Sequence, residues 1–274
     1  MKNTMNFTKT IYQLYSDMGI KTKYHQSPIV YIEPIIPLSS EQEKKLKEGD
    51  GQSNPNEYKQ INSSTGLAVS YYKILENTEK IKDLLFEDKV AIPLIKGGKP
   101  ANLDVSYKRD GKIYYVESKF LEPYYSGNEH NRDSYFDTNR YDVPEKDKED
   151  WLNLFSDAQK YKLFNFSQLC RHLMAIWRKH HEDKHFSFVF QSVTWRMSDQ
   201  FIDKLDDEEL RESFISRRSA IEKESKECQQ RIIDFLKKIG WNNLTFECLH
   251  YNDMLKDISS SRYLEEFKRR YFLE

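Results

Sequence analysis

The chain has 274 residues, of which 38% are hydrophobic and 14% aromatic, enough to build a packed interior and to exclude a disordered chain. Its 43 Lys and Arg residues against 44 Asp and Glu leave a net charge of -1, which predicts neither nucleic-acid nor membrane binding by the chain as a whole. There is no apolar run long enough to span a bilayer and no signal-peptide core, so we expect a cytoplasmic protein without a membrane partner.

The N-terminal part of the chain gives weak signals until residue 63. A short helix is predicted near residues 8–18. Ser63 or Ser64 can cap a helix whose apolar residues then recur at intervals of three and four. We expect a second helical segment after Asn77, and the apolar run at residues 89–95 predicts a short strand.

The next segment predicts two strands joined by the turn Asp110-Gly111. An Asp-Gly pair between alternating runs favours a two-residue turn in which both central residues have positive φ. This turn sets the register of the hairpin. The register pairs Lys108 with Ile113, Val105 with Val116, and Asp104 with Glu117.

Three charged residues then fall on one face of the hairpin, namely Asp104, Glu117 and Lys119. Two carboxylates directly opposite each other have Cβ atoms about 4.5–5.5 Å apart, where like charges are destabilising. A divalent cation would neutralise them, and Lys119 could steady an attacking water or a developing negative charge. The pattern therefore predicts metal-assisted hydrolysis of a phosphodiester. The apolar back of the hairpin is expected to contain Leu103, Val105, Tyr107, Tyr114 and Val116.

The remaining chain alternates between helices and strands. Residues 121–150 have no clear period, and their aromatic part, residues 124–141, is where we expect contacts with a nucleic acid. An amphipathic helix at residues 166–180 precedes a buried strand, and a helix from about residue 207 ends at Gly240. A last strand and helix follow. This order predicts an α/β fold with a mixed sheet flanked by helices.

The motif resembles a known superfamily. Asp104, followed after twelve residues by Glu117-Ser118-Lys119, is similar to the D…ExK signature of the PD-(D/E)XK nucleases, and the segment ESKFLEPY is similar to one found in bacterial restriction endonucleases. The element order across residues 63–195 follows the αβββαβ core of that superfamily. The resemblance implies a single nuclease domain over residues 1–274, with an N-terminal elaboration at about 1–60 and a helix–strand–helix addition at about 200–274.

The resemblance also implies the chemistry. Asp104, Glu117 and the backbone carbonyl of Ser118 would hold Mg²⁺, which Mn²⁺ can replace, and Lys119 would be the catalytic lysine. The substrate would be double-stranded DNA, and a homodimer would cut both strands. Leu103 stands where many members have Pro, and the acidic residue that many carry on the first helix has no unique match. Glu76 is one candidate for it.

Three further residues are candidates for support of the site, each with a simpler alternative. Gln168, on the helix after the motif, could assist the site or be an exposed residue of the first helical turn. Glu122 and Tyr124 could contact a phosphate or merely begin the loop. Three local basic clusters could bind phosphates or be solvated surface, namely Lys96 with Lys99, Arg217-Arg218 and Lys268-Arg269-Arg270.

Two other functions fit the same pattern. A repair or recombination nuclease would use the same core and prefer branched or nicked DNA. A non-catalytic DNA-binding module would have no need for two facing carboxylates near a polyanion. The three cysteines, Cys170, Cys228 and Cys248, lack metal-ligand spacing and are expected to be buried, and His180-His181 is expected at a solvated helix end.

Overall fold

The computed structural model describes residues 23–24, 30–48, 57–60, 62–90, 100–125, 143–205 and 207–273. The helix predicted at residues 8–18 lies outside this part, as do most of the strand predicted at 89–95 and most of the aromatic loop predicted at 124–141. The strands are β1 Lys23–Tyr24, β2 Val30–Tyr31, β3 Lys82–Lys89, β4 Asn102–Arg109, β5 Lys112–Lys119, β6 Ser187–Thr194 and β7 Leu244–His250. The helices are α1 Ser40–Glu48, α2 Ser64–Asn77, α3 Glu122–Tyr125, α4 Glu145–Asp157, α5 Phe166–His180, α6 Asp199–Asp203, α7 Glu208–Ile239, α8 Tyr251–Met254 and α9 Leu264–Tyr271.

Five strands form the central sheet in the order β3-β4-β5-β6-β7. The pairs β3–β4 and β4–β5 are antiparallel, whereas β5–β6 and β6–β7 are parallel. With α2 before and α5 within this series, the described elements follow the order αβββαβ, and the predicted restriction-endonuclease-like α/β class with a mixed sheet flanked by helices is confirmed.

The β4–β5 hairpin has the predicted turn. Asp110 and Gly111 both have positive φ, 50° and 73°, as a type I′ turn requires. The strand pairing matches the predicted register, with Lys108 opposite Ile113 and Val105 opposite Val116. The hairpin thus brings the segment around Asp104 beside the segment around Glu117.

The segment after Asn77 is the strand β3, so the helix predicted there is wrong. The strand is irregular: Asp83 and Glu87 have positive φ, 53° and 54°, and the pairing with β4 shifts between Lys82 and Leu85. These bulges break the alternation of apolar and polar residues. An edge strand with this charge and irregularity is therefore hard to recognise from periodicity.

The hydrophobic core has two parts, one on each side of the sheet. The first contains Val105 and Val116 and packs against α2 and α9, and the second contains Tyr115 and packs against α4 and α5. Leu103, expected on the same face as Val105, lies in the second part. The apolar side chains of β4 therefore change from one side of the sheet to the other between Leu103 and Val105. The residue between them, Asp104, lies beside Glu87, which is a positive-φ residue of β3.

Several helix boundaries follow from caps visible in the sequence. Ser63 caps α2 through a hydrogen bond from the Gly66 amide, and Asp207 caps α7 in the same way. Gly240 ends α7 in the left-handed conformation that L side chains avoid. None of the helices within the described ranges is both long and apolar enough to cross a membrane.

Candidate active site

The two acidic residues of the motif meet where the hairpin strands end their regular pairing. The paired ladder between β4 and β5 stops at Val105 and Val116. Beyond it, the Ser118 amide donates a 2.6 Å hydrogen bond to the carboxylate of Asp104. The side chain of Asp104 therefore reaches across to the backbone between Glu117 and Lys119, although the predicted pair Asp104–Glu117 itself is not part of the ladder.

Glu117 lies at the centre of the site, between Lys119 and His172. Its Oε1 is 2.7 Å from Lys119 Nζ, and its Oε2 is 3.1 Å from His172 Nδ1 on α5. The Glu117 side chain is only 3% exposed, whereas that of Lys119 is 22% exposed. The buried carboxylate is thus held next to a lysine that can still reach solvent.

Burial and neighbouring charges shift the pKa values of Asp104 and Glu117 in opposite directions. Burial and the negative charge of Glu117 together raise the pKa of Asp104 well above its usual range. For Glu117, burial acts in the same direction, but Lys119 and His172 outweigh it and lower the pKa. Burial favours the neutral amine of Lys119, yet the Glu117 and Glu122 carboxylates prevail and raise its pKa. At neutral pH, Glu117 and Lys119 form an ion pair. A negative charge on Asp104 is compensated less by neighbouring positive charges than the charge on Glu117 is.

The site fits a divalent cation. Both carboxylate oxygens of Glu117 are shielded from water, and their contacts with Lys119 and His172 are too poorly aligned to count as well-formed hydrogen bonds. Mg²⁺ prefers oxygen ligands and is often held by one or two carboxylates together with substrate phosphates. Asp104, Glu117 and the Ser118 carbonyl could supply such ligands. Over the described ranges, no group of three or more His, Cys, Asp or Glu residues is arranged to hold a metal ion.

The residue between the two catalytic candidates is anchored on the opposite side of the sheet. The Ser118 hydroxyl lies 2.8 Å from the hydroxyl of Tyr251 and donates a 3.3 Å hydrogen bond to the Ser64 carbonyl at the start of α2. Ser118 and Tyr251 are both fully buried. The C-terminal addition, through Tyr251, therefore helps to fix the backbone that carries Glu117 and Lys119.

The structure separates the predicted supporting residues. Glu122 lies near enough to Lys119 to raise its pKa, and it also accepts a hydrogen bond from the Phe120 amide. Tyr124 is a core residue, 3% exposed, whose hydroxyl accepts a hydrogen bond from the Met197 amide. It packs edge-on against Trp195, so its described contacts are those of a core residue, and its predicted support of the site stays a prediction.

Gln168 and Glu76 have other roles. Asn165 accepts from the Gln168 amide and donates to its side-chain oxygen, so Gln168 completes the N-terminal cap of α5. Glu76, the candidate first-helix acid, forms an ion pair with Lys73 and accepts hydrogen bonds from Gln42. The contacts described for these two side chains do not include the residues of the motif.

His172 is the site residue that sequence reasoning missed. It lies one helical turn after Gln168 and is 6% exposed. The signal available in the sequence is a histidine among apolar residues on the core-facing side of an amphipathic helix. A second histidine of α5, His180, is also buried and lies 2.7 Å from the Tyr115 hydroxyl, which corrects its predicted position at a solvated end.

Basic side chains lie near the carboxyl end of the sheet, where parallel strands usually bind ligands. Arg217 donates to the Pro123 carbonyl, shortly after β5, and Arg218 donates to the Met197 carbonyl, shortly after β6. All three basic residues of the cluster at 268–270 form ion pairs within α9, and the cluster of Lys96 and Lys99 lies outside the described residues. These pairs join Lys268 to Glu265 and both Arg269 and Arg270 to Glu266.

Comparison with known proteins gives one match. A family model described as Restriction Endonuclease associating with ARP, or REase-ARP, matches residues 3–272, which is nearly the whole chain. No curated protein matches the chain, and no solved structure does so either.

Proposed function

The chain belongs to the REase-ARP family of restriction endonucleases associating with ARP, and on this premise we propose that it is a Mg²⁺-dependent DNA endonuclease of a bacterial defence system. The observation that carries the proposal is the arrangement of Asp104, Glu117 and Lys119 at the end of the hairpin ladder. Structural ion pairs rarely place two carboxylates beside one lysine at a buried position, because the second charge is left uncompensated.

The residues of the motif have separate roles in the proposed reaction. Asp104, Glu117 and the Ser118 carbonyl would hold Mg²⁺, with Mn²⁺ as a substitute. When bound, such an ion polarises a phosphoryl oxygen and makes water more acidic. Lys119 stays protonated beside Glu117, and so its ammonium group orients the attacking water and stabilises negative charge on the phosphate rather than accepting a proton.

Double-stranded DNA is the proposed substrate. Arg217 and Arg218 flank the segments that follow β5 and β6, at the same edge of the sheet as Lys119, and a DNA phosphate there would compete with Asp199, which forms an ion pair with Arg218. Phosphate contacts of this kind position a duplex without reading its sequence. A single site cuts a single strand, so cleavage of both strands would require a homodimer or two successive events.

The proposal is tested by cleavage of supercoiled plasmid and of methylated and unmethylated genomic DNA, in Mg²⁺ or EDTA. We expect Mg²⁺-dependent products from the wild type, and their loss in the variant Lys119→Ala. A matched control is Lys112→Ala, which removes an exposed lysine at the other end of the same strand and should cut normally.

The alternatives give different results in the same assay. A repair or recombination nuclease would cut branched or nicked substrates in preference to intact duplex. A non-catalytic DNA-binding module would retain DNA in a gel-shift assay while cutting none of these substrates. Binding without any metal-dependent cleavage would therefore refute the proposed activity.

A further inference from the structure

The two carboxylate oxygens of Glu117 contact two chemically different side chains. Oε1 faces the flexible Lys119, which is on the same strand and partly open to solvent. Oε2 faces His172, which is on α5 and buried. A lysine can swing away when a metal ion or phosphate arrives, whereas a buried imidazole on a packed helix cannot move far.

The buried His172 ring also packs near Phe190, with 6.4 Å between the ring centroids, but a phenyl ring has no nitrogen or oxygen that could accept a hydrogen bond from an imidazole N–H. A buried imidazole N–H needs a hydrogen-bond partner, because leaving it unpaired costs free energy. The polar group in contact with Nδ1 is the Glu117 carboxylate at 3.1 Å, and the alignment falls short of a well-formed hydrogen bond. Contacts of this kind in a ligand-free site commonly tighten when the ligand binds.

We propose that His172 is a positioning residue that holds Glu117 through Oε2 and thereby presents Oε1 to the divalent cation. This inference rests on the function proposed above. Glu117 has three rotatable side-chain bonds, so an unrestrained carboxylate would lose conformational freedom on binding the ion. Groups that orient a metal-ligating carboxylate commonly change metal affinity by about 10–100-fold when removed.

The test is a titration of Mn²⁺ into the purified full chain without DNA, followed by calorimetry and by the electron paramagnetic resonance signal of free Mn²⁺. His172→Leu removes the N–H donor and keeps an apolar side chain of similar reach. His172→Asn keeps a donor, because the Asn amide nitrogen occupies nearly the position of Nδ1. We expect Kd to rise about 10–100-fold in His172→Leu and to stay within about threefold of wild type in His172→Asn.

A matched control separates positioning from packing. His180 is buried on the same helix and contacts Tyr115 rather than Glu117, so His180→Leu should lower thermal stability and leave Mn²⁺ affinity unchanged. If His172→Leu does not fold, as judged by circular dichroism, His172→Gln replaces it. The longer Gln side chain displaces the donor, and we expect weaker binding than with Asn.

The outcomes distinguish this inference from the proposed function. Wild-type binding of Mn²⁺ with equal affinity in His172→Leu would overturn the role of His172 and leave the metal site standing. Equal weakening by Leu and Asn would also overturn it, because ring packing rather than the donor would then matter. A wild type that neither binds Mn²⁺ nor cuts DNA would overturn the proposed function and this inference together.

Discussion

Lys119→Met removes the charge that compensates the buried carboxylate of Glu117 while keeping a side chain of similar length. Glu117 is 3% exposed and lies 2.7 Å from the lysine nitrogen, so in EDTA the variant must bury a carboxylate whose remaining neighbour is His172. The alternative is protonation of Glu117 at pH 7.5, which also costs free energy because a Glu carboxyl in the unfolded chain is ionised at that pH.

The expected loss follows from the burial of the pair. Removing one partner of a buried ion pair costs about 3–5 kcal/mol. Lys119 is 22% exposed and His172 still faces the carboxylate, so we expect the lower end, about 3 kcal/mol, in the free energy of unfolding. In a chain of this length, that loss corresponds to a fall in Tm of about 6–12 °C.

The assay is thermal unfolding in EDTA at pH 7.5, measured for four proteins. Lys119→Met should show the fall, and adding Glu117→Gln in the same chain should recover at least about 2 kcal/mol, because the carboxylate that lost its lysine partner is then replaced by a neutral amide. Lys112→Met, at an exposed lysine of the same strand, should shift stability by less than about 0.5 kcal/mol. An unchanged Tm in Lys119→Met would refute the buried ion pair.

Three further predictions concern other parts of the site and the core. Burial and Glu117 raise the pKa of Asp104, so its ionised form destabilises the metal-free fold above the ordinary carboxyl pKa. Asp104→Asn should therefore raise the free energy of unfolding in EDTA at pH 7.5 and abolish cleavage, and a lower Tm would contradict this. Tyr251→Phe removes the hydroxyl partner of Ser118 and should cost about 1 kcal/mol in urea unfolding, with reduced cleavage in single-turnover assays; an unchanged rate would show that this anchor is not needed. Burial lowers the pKa of His180 to about 4, so the unfolded chain binds the extra proton, and stability should fall as the pH drops from about 6.5 to 4. His180→Gln should have a shallower fall over that range in urea titrations, and a slope equal to that of the wild type would refute the assignment.

The parts of the fold that were predictable carry strong local signals. The Asp110-Gly111 turn defines the hairpin, and the caps Asp207 and Gly240 define α7. The strand β3 was not predictable, because its positive-φ residues break the alternation on which strand recognition depends. The helix α4 was missed for a related reason, since it is rich in charges and buries only Trp151, Leu154 and Phe155.

The sequence predicts the site residues that lie on the β4–β5 hairpin, but not the residues that α5 and the C-terminal addition contribute. Asp104, Glu117 and Lys119 follow from the register of two adjacent strands. His172 comes from a helix whose distance from the sheet is set by side-chain packing, and sequence periodicity gives the buried face but not the partner. Tyr251 meets Ser118 across 133 positions of sequence, and no local pattern reports such a contact.

The proposed function depends most directly on a divalent cation held by Asp104 and Glu117. The most direct measurement is anomalous X-ray diffraction from crystals of the full chain grown with Mn²⁺, at a wavelength where manganese scatters anomalously. We expect a peak within bonding distance of the carboxylates of Asp104 and Glu117 and of the Ser118 carbonyl, and its loss in Asp104→Asn. A peak elsewhere with none at this position, in a protein that cuts DNA, would contradict it.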